Sequence, residues 1–171
     1  MGLLRTFSRN HSGAAAAEMA LMLPLLTLLL FGGMEAGYFL WNEHKVVKAV
    51  RDGARFAGRQ DFSYMDCASG GITSAGKTAG IEDNIKNVTR TGTTSSSATP
   101  VIRGWDNSEV SVTVSCDSGT TTGIYAAFPS TGAPRITVSA SVPYPTLFGD
   151  IAFDLSSINL NSEAQAAVMG I

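Results

Sequence analysis

Two histidines, two cysteines and 14 carboxylates bound the chemistry open to this chain of 171 residues. A zinc site of four protein ligands would take all the His and Cys, or draw on carboxylates. No Gly-x-Ser-x-Gly elbow occurs. Gly70-Gly71 and Gly119 lack the spacing of a nucleotide loop, and no Gly-Lys-Ser/Thr follows them. His44 stands beside Glu43 without the partners that acid–base work needs, so a solvated or headgroup position is its reading. The carboxylate pairs Glu82-Asp83 and Asp106 with Glu109 read as surface charge. Asn87-Val88-Thr89 has the form of a glycosylation acceptor, which by itself says little. Trp105 and the stretch from Tyr125 to Pro129 are either core or an exposed aromatic contact, core being the commoner fate. These residues lead us to expect no enzyme, no cofactor and no metal site. Charged residues are only 15% of the chain and the net charge is -2, so wholesale nucleic-acid binding is not expected either.

One carboxylate is out of place. Residues 14–34 read AAAAEMALMLPLLTLLLFGGM, and Glu18 is the sole charge among them. Helix over that stretch would span about 31 Å, one hydrocarbon core, and no polar face recurs at helical period. We read it as a transmembrane helix. Arg5 and Arg9 precede it, as in a cleaved secretory signal, but no site after the run has small residues at both positions that signal peptidase needs. Pro24 removes a backbone donor and should kink the helix or leave a carbonyl free. A carboxylate in hydrocarbon costs on the order of 3 kcal/mol. Glu18 therefore either snorkels to the headgroups or has a dedicated partner, and Ala14 to Ala17 offer it none.

The segment running from Arg9 through Gly13 to Ala14 and Glu18, followed by the apolar run, resembles a class III or type IV prepilin leader. The resemblance implies Gly13 as the last leader residue, Ala14 as the new N-terminus after a membrane peptidase cuts, and Glu18 as the fifth mature residue. It extends further. Leu23-Pro24-Leu25-Leu26, Gly33-Met34-Glu35 and Val50-Arg51-Asp52-Gly53-Ala54-Arg55 are similar to the signature of the TadE-like family of tight-adherence (Tad/Flp) pilus pseudopilins. The specific part covers roughly the first third of the chain. The family implies a pairing for Glu18: the N-terminal amine of one subunit meets the fifth-position Glu of a neighbour, a contact that sets register more than it adds stability. It also implies a bacterial inner-membrane protein, single-pass, with its C-terminal part outside the cytoplasm and a place in the pilus. The partners it implies are prepilin peptidase, other pilin and pseudopilin subunits, the inner-membrane assembly machinery and the lipid bilayer. His11 would be lost with the leader.

Beyond the membrane segment helical spacing continues. Val46, Val47, Val50, Ala54 and Ala57 form an apolar seam, and Gly58 is a plausible stop. The whole helix would measure roughly 66 Å. Lys45, Lys48, Arg51, Arg55 and Arg59 form a second stripe, either a solvated face or a contact with anionic headgroups or an acidic partner. Counted alone, these charges favour an N-outside arrangement. The family resemblance requires N-inside, because the leader must face its peptidase, and we adopt that topology.

The remainder is rich in Ser, Thr and Gly. Ile81, Ile85 and Val88 predict a short helix over 74–88, and TGTTSSSAT at 91–99 a polar loop. Val110, Val112, Val114 and Cys116 alternate with polar residues, as do Ile136, Val138, Ala140 and Val142, predicting two half-buried strands. Ile158, Leu160, Ala164, Ala166 and Val168 predict a third, less regular one. Strands joined by turns imply an antiparallel sheet packed on the helix. The fold class is α+β: a long N-terminal transmembrane helix continuing as a stalk, packed on a small antiparallel β-sheet domain. The divisions are 1–13 leader, 14–34 transmembrane helix, 35–58 stalk and 59–171 extracytoplasmic domain. Cys67 and Cys116 are either two buried thiols or a disulfide, which we favour for an extracytoplasmic domain. The functional expectation is a minor pilin or pseudopilin acting in pilus assembly and surface adhesion. The alternative is an uncleaved, membrane-anchored binding protein with an extracytoplasmic domain.

Overall fold

The computed structural model describes residues 12–126, 132–149, 155 and 157–170. Arg5, Arg9 and His11 lie outside the described residues, as do Ala127, Phe128 and Pro129 of the aromatic stretch. The chain divides into two compact units, with the boundary between Tyr38 and Phe39.

The first helix, α1, runs from Ser12 to Ala57 and contains Pro24. Its assignment passes unbroken through the proline, and the Thr27 hydroxyl donates to the Pro24 carbonyl at 2.9 Å. In the N-terminal unit every residue from Gly13 to Phe31 is exposed, leucines included. This helix is long and apolar enough to cross a membrane, and none of its most apolar window is buried.

The second unit starts inside α1. Val46, Val50, Ala54 and Ala57 of the expected seam are buried, while Val47 at its margin is half-buried. A short hairpin follows, β1 (Met65–Asp66) against β2 (Gly71–Ile72). The single helix expected over 74–88 is two: α2 (Ser74–Thr78) and α3 (Ile81–Thr91). The break has a local cause. Gly80 takes φ +70°, a left-handed conformation that ends one helix and caps the next, and glycine adopts it without a Cβ clash.

The sheet is antiparallel in the order β3 (Val110–Asp117), β4 (Ala133–Pro143), β5 (Asn159–Ala167). Register pairs Val112 with Val138 and Val114 with Ile136 across β3 and β4, and Val138 with Ala164 across β4 and β5. The alternation seen in the sequence is the inward face of this sheet: Val110, Val114, Ile136, Val138, Val142 and Leu160 are buried. The third strand is as regular as the others, its small residues Ser162, Ala164 and Ala166 taking the inward positions. Trp105 is fully buried, so core is its fate. Phe39 stacks edge-on against Tyr144 at 5.2 Å, and the Met169 amide donates to the Gly58 carbonyl at 2.8 Å. The helix and the sheet of this unit are thereby joined, giving the expected α+β architecture.

Candidate functional site

The predicted processing site occupies the first turn of α1. Gly13 and Ala14 are helical and exposed. Glu18 lies one turn beyond Ala14, also exposed, and makes no ion pair among the described residues. Glu18 is the sole charged residue of the apolar run 14–34. Nothing polar on its own turn competes for it, because Ala14 to Ala17 carry only methyl groups. In the Gly33-Met34-Glu35 patch, Gly33 and Met34 are exposed and Glu35 is buried.

The Arg-Asp-Gly-Ala-Arg end of the helix has a packing role. Gly53 is buried, and a Cβ built on it would collide with the side chain of Thr89 on α3. Helix α3 therefore approaches the α1 backbone at a position where α1 has no side chain. Thr89 is itself fully buried, its hydroxyl donating to the Ile85 carbonyl at 2.8 Å. Ala54 is buried beside the contact, while Arg51 and Arg55 point to solvent. A glycine inside a helical pattern signals such an approach, but the sequence does not say to what.

Cys67, following β1, and Cys116, at the end of β3, form a disulfide with Cα atoms 5.6 Å apart. This separation is ordinary for the bond. It ties the β1–β2 hairpin to the sheet, and the Val114 amide donates to the Gly70 carbonyl at 2.8 Å beside it. Each cysteine adjoins an aspartate that organises a turn. Asp66 accepts from the Ser69 hydroxyl at 2.6 Å and from the Ala68 amide at 2.9 Å. Asp117 accepts from the Thr120 hydroxyl at 2.8 Å and the Gly119 amide at 3.0 Å. The bond from the Ser69 hydroxyl is the main reason the Asp66 carboxyl sits below its ordinary value. The Thr120 hydroxyl does the same for Asp117. Sequence reading passed over both; the signal was Asp followed three residues later by Ser or Thr, the spacing of an Asx-type turn.

Several of the remaining candidate polar groups have partners within the fold. Glu82 pairs with Lys86 at 2.9 Å, and Glu109 accepts from the Asp106 amide at 2.8 Å. Asn87 of the glycosylation triplet is buried and donates to the Thr94 carbonyl at 3.2 Å. Its carbonyl oxygen accepts from Asn107 at 3.2 Å, and the folded chain cannot present this amide to an enzyme. Arg90 completes the cluster, donating to Asn107 at 2.9 Å and to the Trp105 carbonyl at 3.1 Å. His44 is exposed. Among the described residues no three His, Cys, Asp or Glu side chains stand close enough together to hold a metal.

These features define a class: an exposed apolar helix leading into a small disulfide-bearing α+β unit. Residues 13–55 match the family model described as TadE-like protein, the family that the motifs resemble. The match starts at Gly13 and ends at Arg55, the last residue of the Arg-Asp-Gly-Ala-Arg motif, so it covers most of α1 and none of the sheet. No curated protein and no solved structure matches the chain.

Proposed function

We propose that this chain is a pseudopilin, or minor pilin, of a tight-adherence (Tad/Flp) pilus, anchored in the bacterial inner membrane with its disulfide-bearing unit outside the cytoplasm. The single observation that carries the reading is the TadE-like match beginning at Gly13, the last leader residue by the prepilin pattern. The run of exposed leucines behind it supports insertion into lipid or among other subunits. Prepilin peptidase cuts between Gly13 and Ala14, and the freed amine of one subunit meets Glu18 of a neighbour. The protein catalyses nothing and takes no cofactor. It acts in pilus assembly, and adhesion follows from the fibre it helps to build.

Mass spectrometry of the N-terminus of the membrane-extracted protein tests this. A chain beginning at Ala14 is the expected result. One beginning at Met1 would replace it with the uncleaved anchored binding protein. A start beyond Met34 would mean a secretory signal and a soluble product. Glu18→Ala is expected to be processed normally yet to enter pili several-fold less, on the scale of a buried charge contact. Normal incorporation would remove the pairing role.

A further inference from the structure

A groove of about 450 Å³ opens along the C-terminal part of α1. Its first wall is Lys45, Lys48, Ala49 and Asp52 of α1. The facing wall is Val88 and Gly92 at the end of α3, with Val101 of the following loop. The lysines lie three residues apart on one helix face. Thr89 also lines it, and Val101 is 40% exposed into solvent. One turn before Lys45 stands Trp41, 60% exposed, with Leu40 beside it at 54%. The Lys45 ammonium lies over the Trp41 ring, 5.5 Å from its centre. Asp52, the single acid in the groove, is at its far end and faces Arg55 at 3.8 Å.

We propose that this groove seats the headgroup of an anionic phospholipid. An exposed Trp and Leu following an apolar span are the residues of a membrane–water interface, where the indole sits at headgroup level. Lys45 and Lys48 then stand about 6 and 11 Å further along the axis, within reach of a phosphate through their flexible stems. Two ammonium groups supply the complementary charge, and Ala49, Val88 and Val101 supply apolar surface for the glycerol and first methylenes. The basic stripe thus divides: Lys45 and Lys48 take lipid, while Arg51 on α1 and Arg59 just beyond its end face water. The inference rests on the membrane reading of α1 and not on the pilus assignment.

The test uses the full chain in neutral detergent with equal amounts of phosphatidylglycerol and phosphatidylcholine, read by native mass spectrometry. Phosphatidylglycerol is expected to be retained about tenfold or more over phosphatidylcholine, given the usual contribution of a lysine near an anionic surface. Lys45→Gln with Lys48→Gln should bring the two lipids near parity. Val101→Glu, which puts an acid into the groove without removing a lysine, should do the same. Arg51→Gln with Arg59→Gln should leave the preference intact. Equal retention of both lipids by the unaltered chain would overturn the proposal, as would an equal loss in the arginine control. So would binding of inorganic phosphate with no lipid preference. Alkaline carbonate extraction separates the two levels: a chain that stays in the membrane but shows no lipid preference refutes the groove alone, and one that washes off refutes the membrane reading with it.

Discussion

Helix α1 lives in two environments. Between Gly13 and Phe31 its side chains are exposed all the way round. Between Phe39 and Ala57 the same helix buries Val46, Val50, Ala54 and Ala57 and turns Lys48, Arg51 and Arg55 to solvent. The first stretch has no polar face, none of its most apolar window is buried among the described residues, and it is long and apolar enough to cross a membrane. The second is amphipathic and finishes its own core. One continuous helix therefore carries an exposed apolar surface and a folding surface, and the change of sequence pattern marks where one gives way to the other.

The largest effect is expected of a truncation in the core, set beside one in the exposed apolar stretch of α1. Trp105→Ala should destabilise the globular unit by about 3–5 kcal/mol, since the indole is fully buried. Leu26→Ala, in the exposed stretch, should leave the thermal midpoint in detergent within error and weaken only membrane retention. A thermal melt of both variants in detergent checks this, and equal destabilisation would mean that the two stretches are not distinct.

A second pair uses glycines of the same helix. Gly53→Ala must displace Thr89, which should cost about 1–3 kcal/mol as an overpacked contact. Nothing lies within 4 Å of a Cβ at Gly33. Gly33→Ala should therefore be neutral, or stabilising by up to about 1 kcal/mol through helix propensity. Denaturant midpoints of the isolated subunit report both, and a neutral Gly53→Ala would deny the close approach of α3.

The smallest effect is the pH response of the hairpin end. The carboxyls of Asp66 and Asp117 are held below their ordinary value in the folded state, chiefly by the hydroxyls of Ser69 and Thr120. Their stabilisation is thus fully present above the unfolded carboxylate pKa of about 4 and is lost as pH falls through the lower folded value. The double variant Asp66→Asn, Asp117→Asn should differ from the unaltered chain at pH 6 and converge with it towards pH 3. Asp117 is exposed and Asp66 only half-buried, so the shift in midpoint will be slight. A difference that grows on acidification would reverse the assignment.

Much of this architecture was legible in the residues. The apolar run of α1 and its later seam at Val46, Val50 and Ala54 could be read from period alone. So could β3 and β4, whose alternating valines are the inward face of the sheet. The TadE-like motifs were readable for the same reason, being contiguous. What failed was local punctuation and long-range pairing. The periodicity of Ile81, Ile85 and Val88 carried the expected helix back across Gly80, although a glycine there can turn left-handed and end it. The third strand looked irregular because its inward positions hold Ser162, Ala164 and Ala166, which are small rather than clearly apolar. Asp66 and Asp117 escaped notice because a three-residue spacing is common by chance.

Read alone, the residues settle the long helix, the three strands of the main sheet and the helical stretch that is apolar all round, because periodicity and hydropathy are properties of neighbouring residues. The tertiary structure decided what lies across from what. It set Gly53 against Thr89, joined Cys67 to Cys116 over a separation of 49 residues, buried Asn87 in the network of Arg90 and Asn107, and opened the lysine groove opposite Val101. Each is a contact between residues distant in the chain. Its free energy depends on geometry that appears only once the backbone has closed, and no local pattern encodes it.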